Sequence, residues 1–120
     1  MPRDRMMQAM FSCAAMVDGT MRRKEATMHV ALLQMRLLLP SRTLKEKRAI
    51  VKSVLSRSRN RFNVACSESA LHDQPADAEL CFVTVAPSVA RARQILQELE
   101  SWLVSERPDV EVGDSQVEEL

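Results

Sequence analysis

An α+β sandwich is predicted for this chain: a four-stranded antiparallel sheet with two helices on one face, in the order β-α-β-β-α-β. Two stretches, residues 29–39 and 80–85, are apolar at nearly every position, as strands buried on both faces must be. Two others open with a hydroxyl residue able to cap a helix, Thr43 and Ser88, and continue with apolar residues at three- and four-residue spacing. The remaining apolar residues, around Phe62 and Val110, fall in short runs that read as strands.

At 120 residues one domain is expected. Residues 1–27 stand apart, with six of the eight methionines and no strand pattern. They are read as a disordered or upstream-start extension, and the folded domain as residues 28–120. A secretory leader is disfavoured because Gln8 and Ser12 interrupt the apolar run after Arg3 and Arg5, and the run before Cys13 is too short for a lipoprotein site. Met6, Met7, Met10 and Phe11 make too thin a face for a membrane anchor.

The first strand starts at His29 and alternates Ala31, Leu33, Met35, Leu37 and Leu39 with Val30, Leu32, Gln34, Arg36 and Leu38. Pro40, which lacks an amide hydrogen, stops it. Thr43 and Glu46 stand in the capping-box relation, and Leu44, Val51, Val54 and Leu55, with Ile50 at the margin, make the buried stripe of the first helix. Lys47 projects toward that stripe and is expected to snorkel its ammonium past the core edge. Phe62, Val64 and Cys66 then alternate with Asn63, Ala65 and Ser67 as a half-buried edge strand, and 71–77 is a connection.

Leu80 to Val85 is the second central strand, and Glu79 implies that Cys81, Val83 and Val85 face away from the helices. The second helix buries Ala92, Ile95, Leu96, Leu99, Trp102 and Leu103 and ends before Pro108. Val110 and Val112 open the last strand, with Gly113 placed for a bulge before Val117. Leu33, Met35, Val51, Leu55, Phe62, Phe82, Ile95, Leu99 and Leu103 are expected to share one core. The element order closes most simply as a ferredoxin-like sandwich with the first and third strands central. Its uncovered face would carry Val30, Leu32, Leu38, Cys81, Val83 and Val85 around Gln34 and Arg36, and a homodimer through that apolar patch is the expectation.

Net charge is +1, but its distribution is lopsided. Residues 42–61 hold eight Lys and Arg against one acid, whereas residues 62–120 hold three against twelve. Lys45, Arg48, Lys52 and Arg59 recur at intervals of three, four and seven, which sets them on one stripe beside the buried face, with Arg42 just ahead. Lys45, Lys47 and Arg48 sit in the first turns, where the helix dipole disfavours cations and only Glu46 offsets them; Arg57, Arg59 and Arg61 lie where the dipole favours them. A solvated charged face is the plain alternative. The functional reading is phosphate contact with structured RNA, salt-dependent and blind to sequence. Base stacking is not expected, because Phe62, Phe82 and Trp102 fit the core and Phe11 is the one other aromatic residue.

Catalysis is not expected either. Cys13, Cys66 and Cys81 form no C-x-x-C, and His29 and His72 lack ligand spacing, so no metal and no cofactor are expected. Cys66 and Cys81 read as reduced, buried thiols on paired strands. A Cys-His nucleophile would need His29 or His72 beside a cysteine. Asp73 and Asp77 are explained by turn chemistry. Acylphosphatases share the proposed topology, but Leu39-Pro40-Ser41-Arg42 stands where they carry a Gly-rich phosphate loop, so neither that reaction nor a small-molecule substrate is expected.

Leu44-Lys45-Glu46-Lys47-Arg48, Arg61-Phe62-Asn63-Val64 and Ala78-Glu79-Leu80 together resemble the YlxP-like proteins, small uncharacterised bacterial proteins, over about residues 28–120. The resemblance implies a ferredoxin-like sandwich, a cytoplasmic location, no assigned enzymatic activity, and genes lying near those for translation and ribosome maturation factors. The chain departs from that pattern in the connection, which has Pro75 and no aromatic residue, and in the extra residues before Met28. Two functions are therefore expected in order: a non-enzymatic accessory protein associated with RNA or the ribosome through Arg42, Lys45, Arg48, Lys52 and Arg59; and a homodimeric module whose basic helix docks an acidic protein.

Overall fold

Thr43 starts the first helix as a reciprocal cap. Its hydroxyl accepts from the Glu46 amide at 3.1 Å, and the Glu46 carboxylate accepts from the amides of Thr43 at 3.3 Å and Arg42 at 2.8 Å. In the computed structural model, which describes residues 28–120, the elements are β1 (His29–Leu38), α1 (Leu44–Arg61), β2 (Val64–Ala70), β3 (Asp77–Ala86), α2 (Val89–Glu106) and β4 (Glu111–Glu119). The reading of residues 1–27 lies outside the described residues. Ser88 caps α2 by accepting from the Arg91 amide at 3.1 Å.

The sheet runs β2-β3-β1-β4, all neighbours antiparallel, so the first and third strands are central and the fold is the ferredoxin-like sandwich. Side-chain alternation sorts β1 onto two faces. Ala31, Leu33, Met35 and Leu37 point to the helices and are buried, as are Ala78, Leu80, Phe82 and Ala86 on β3. Val51, Val54 and Leu55 from α1 and Ile95, Leu96, Leu99 and Leu103 from α2 close the core over them. Phe62 packs at its margin, edge-on to Trp102 with ring centroids 5.5 Å apart. Arg61 lies 5.8 Å and 5.9 Å from the two ring centres and closes that corner.

The hairpin β2–β3 is longer than the sequence indicates. Polar Ser69, Asp77 and Glu79 continue the strands because one edge and one face of the hairpin meet water, and Glu68 does so because its carboxylate meets the buried Lys47 ammonium at 2.9 Å. Each edge strand carries one extra residue. On β4 three steps from Val112 to Ser115 oppose two from Leu37 to Met35, a bulge at the position expected from Gly113. On β2 the shift falls between Glu68 and Ala70, where Ser69 turns its hydroxyl to the Glu79 carbonyl at 3.2 Å.

Cys66 pairs in register with Phe82, and Ser67 with Cys81. The two thiols therefore sit on opposite faces of the sheet, and both are free. Cys66 turns inward and donates to the Leu55 carbonyl at 3.5 Å.

Candidate functional site

Helix α1 carries four of the five cations singled out above. At 100° per residue Lys45, Arg48, Lys52 and Arg59 fall within about 60° of arc, and from Lys45 to Arg59 they run about 21 Å along the axis. All four are exposed, and so is Arg42 before the cap. Among the described residues the charged side-chain groups of Arg42, Lys45, Arg48 and Lys52 have no carboxylate partner, whereas the Arg57 guanidinium is paired with Glu106 at 2.9 Å on the far side of the helix. Arg59 is held differently: its Nη2 donates to the Cys66 carbonyl at 2.9 Å. That bond spends one donor of a five-donor fork and fixes the guanidinium against β2.

The stripe is one wall of a groove. Arg48, Lys52 and Arg59, with Ser56 between them, line a concavity of about 520 Å³ whose floor is Val51 and Leu55 and whose opposite wall is Ser67, Glu68 and His72. Lys45 and Arg42 continue the basic surface beyond its end. The sequence pattern indicates the helical wall but not the strand wall. Nothing in the spacing of Ser67 or His72 shows that β2 lies alongside α1.

Lys47 is a correction. It does not snorkel past the core edge. Its residue is 1% exposed, and its ammonium meets Glu68 Oε2 at 2.9 Å and donates to the Leu71 carbonyl. Leu71 has φ 65°, the left-handed region that costs a branched residue about 1–2 kcal/mol. The lysine anchors the backbone there. The Lys47 charge thus neutralises the one carboxylate that lines the groove among the described residues.

Beneath the sheet, Gln34, Arg36, Leu71, Glu79, Asp114 and Gln116 line a second cavity of about 280 Å³. Its polar groups are mutually engaged on one side: Gln34 Nε2 donates to Glu79 Oε2 at 2.7 Å, and Arg36 pairs with Asp77 at 3.4 Å. Burial pushes the Cys66 thiol above its ordinary pKa against the opposing pull of Arg59, and raises Cys81 too, with Glu79 adding to the effect. A raised pKa keeps a thiol protonated and unreactive. Among the described residues no group of three or more His, Cys, Asp and Glu is arranged to hold a metal ion, and no helix is long and apolar enough to cross a membrane.

Residues 30–117 match the model of a family described as proteins of unknown function, DUF503. The chain belongs to the DUF503 family. The match covers β1, both helices, β2, β3 and most of β4, so the groove between α1 and β2 lies wholly within the part of the chain that defines DUF503 membership. No curated protein matches the chain. Among solved structures it is similar to a de novo designed protein, Foldit4, at 11% identity over 76% of this chain and 96% of that one, with a TM-score of 0.44.

Proposed function

We propose that this DUF503 protein is a non-enzymatic accessory factor that associates with RNA or the ribosome through Arg42, Lys45, Arg48, Lys52 and Arg59. One observation carries the reading: a run of exposed cations on a single helix flank, of which Lys45, Arg48 and Lys52 have no carboxylate partner among the described residues. Uncompensated cations in the first turns of a helix oppose its dipole, and a polyanion removes that cost. The resemblance to YlxP-like proteins, whose genes lie near those for translation factors, supports the same reading and with it a cytoplasmic location. The test is co-sedimentation with ribosomal particles at low and high salt, comparing the parent with a K45E, R48E, K52E variant. Binding by the parent that is lost in the variant and weakened by salt is expected; equal binding by the two proteins sinks the proposal.

A second reading rests on the open sheet face. Leu38 is 40% and Val85 42% exposed there, beside half-buried Leu32, Cys81 and Val83. Exposed apolar surface of this kind favours a second copy of the chain, giving a homodimer that presents two basic helices to an acidic protein. A pull-down of protein that survives nuclease treatment favours this over the first reading.

A further inference from the structure

Resting on the proposed contact with RNA, we infer that the groove between α1 and β2 takes one strand of nucleic acid rather than a duplex, with its phosphates turned toward Arg48, Lys52 and Arg59. The three cations span about 16 Å along the helix, enough for several consecutive phosphates of one backbone, and the strand supplies a second wall across from them. An A-form RNA duplex is a rigid rod of two strands with its phosphates on the outside, too broad to settle between a helix and the strand beside it.

Three details choose the ligand. First, the carboxylate in the wall, Glu68, is already neutralised by the buried Lys47 ammonium at 2.9 Å, so the groove presents net positive charge. Second, an extended peptide would enter by pairing with the free edge of β2, yet two of that strand's carbonyls are taken: Cys66 O accepts from Arg59 Nη2 at 2.9 Å and Glu68 O from His72 Nε2 at 3.2 Å. Third, Arg59 is held in place by that same bond with most of its donors left for an anion, the preorganised fork that suits phosphate. Among the described residues no aromatic ring lines the groove, so the contact reads backbone and not bases.

The experiment is fluorescence anisotropy with a labelled 12-nucleotide oligouridylate, a 12-base-pair RNA duplex and a hexaglutamate peptide as probes. It uses the whole chain and two variants, S56L and S67L, which fill the groove from either wall and leave every charge in place; thermal melting checks that each folds, and either one suffices. The single strand is expected to bind at least tenfold tighter than the duplex. Its log K should fall with log salt at a slope of about −2, from three phosphates at about −0.7 each. The leucine variant should weaken it tenfold, and inorganic polyphosphate should compete. Duplex binding equal to or tighter than single-strand binding, or undisturbed by the leucines, overturns the inference and leaves the RNA reading standing. Tighter binding of hexaglutamate overturns it in favour of an acidic protein, and binding of neither nucleic acid overturns both.

Discussion

Lys47 Nζ lies 2.9 Å from Glu68 Oε2, twenty-one residues apart in sequence, and the lysine side chain is only 2% exposed. Glu68 Oε2 receives no further hydrogen bond among the described residues, so each charge depends on the other. Breaking a buried pair by removing one partner costs about 3–5 kcal/mol, whereas replacing both by apolar groups is often neutral. Glu68→Leu alone should therefore destabilise most, because it strands the more deeply buried charge. Lys47→Met alone should cost less, since Glu68 retains some contact with water, and the double variant should recover most of the loss. Urea unfolding of the four proteins as a double-mutant cycle measures this; additive single effects would show that the pair is not coupled.

Ser58 makes a simpler case. It lies on the core side of α1, is fully buried, and its hydroxyl has no hydrogen-bond partner among the described residues. An orphaned buried hydroxyl costs about 1–3 kcal/mol, and alanine is also the better helix former. Ser58→Ala should raise stability by about 1 kcal/mol, seen as a higher urea midpoint with an unchanged slope. A lower midpoint would mean that the hydroxyl is satisfied in solution.

The core itself should respond unevenly. Leu99 is 0% exposed and Leu55 9%, so both alanine truncations fall in the range of about 2–5 kcal/mol, with Leu99→Ala the larger. Thr43→Ala, which removes one half of the capping box, should cost about 1 kcal/mol. A Leu99→Ala loss no greater than that of Thr43→Ala would place the core elsewhere.

These cores and caps are the parts of the fold that were legible in the sequence, because they rest on local spacing. The Thr43 and Glu46 pair, the two faces of β1, and the parity of Cys81, Val83 and Val85 each depend on residues within a few positions of one another. What pairs across distance was not legible. Hydrophobic pattern places Lys47 toward the core, but no rule of spacing says that Glu68 will arrive to meet it. Arg59 is placed by spacing on the basic stripe and by the dipole at a favourable helix end, yet neither shows that its guanidinium is fixed by a carbonyl of the next strand. Leu71 adopts a left-handed backbone with no glycine or asparagine to signal it, since the lysine bond to its carbonyl decides the matter. The strand wall of the groove was missed for the same reason: Ser67 and His72 become neighbours of α1 only once the sheet has formed.

The thiols give a pH prediction. Burial raises the pKa of both Cys66 and Cys81, so between the ordinary thiol range and the raised folded values the native chain holds protons that the unfolded chain has lost. Unfolding then releases protons, and stability must fall as pH rises through that window. The full contribution is present below the ordinary thiol pKa. Urea midpoints measured from neutral to alkaline pH should decline more steeply for the parent than for a C66A, C81A variant, and alkylation of Cys66 and Cys81 in the folded protein should be slow until denaturant is added. Parallel declines would leave the thiols out of the account.

The open sheet face predicts an oligomeric state. Val85→Glu and Leu38→Glu place charge at the two most exposed large apolar positions of that face. If two copies meet there, sedimentation equilibrium should give a dimer for the parent and a monomer for the double variant. A monomeric parent at high concentration removes the second functional reading and leaves the basic groove unaffected.

Arg59 and His72 have an effect that reaches beyond any ligand. A sheet margin with vacant acceptors invites a neighbouring polypeptide to zip onto it, and repetition of that step builds fibres. Here a newcomer would first have to evict an arginine and a histidine from the two carbonyls they occupy. Shortening both side chains to alanine would strip the guard from β2, and the chain should then grow prone to slow self-assembly while its folded interior stays as it is.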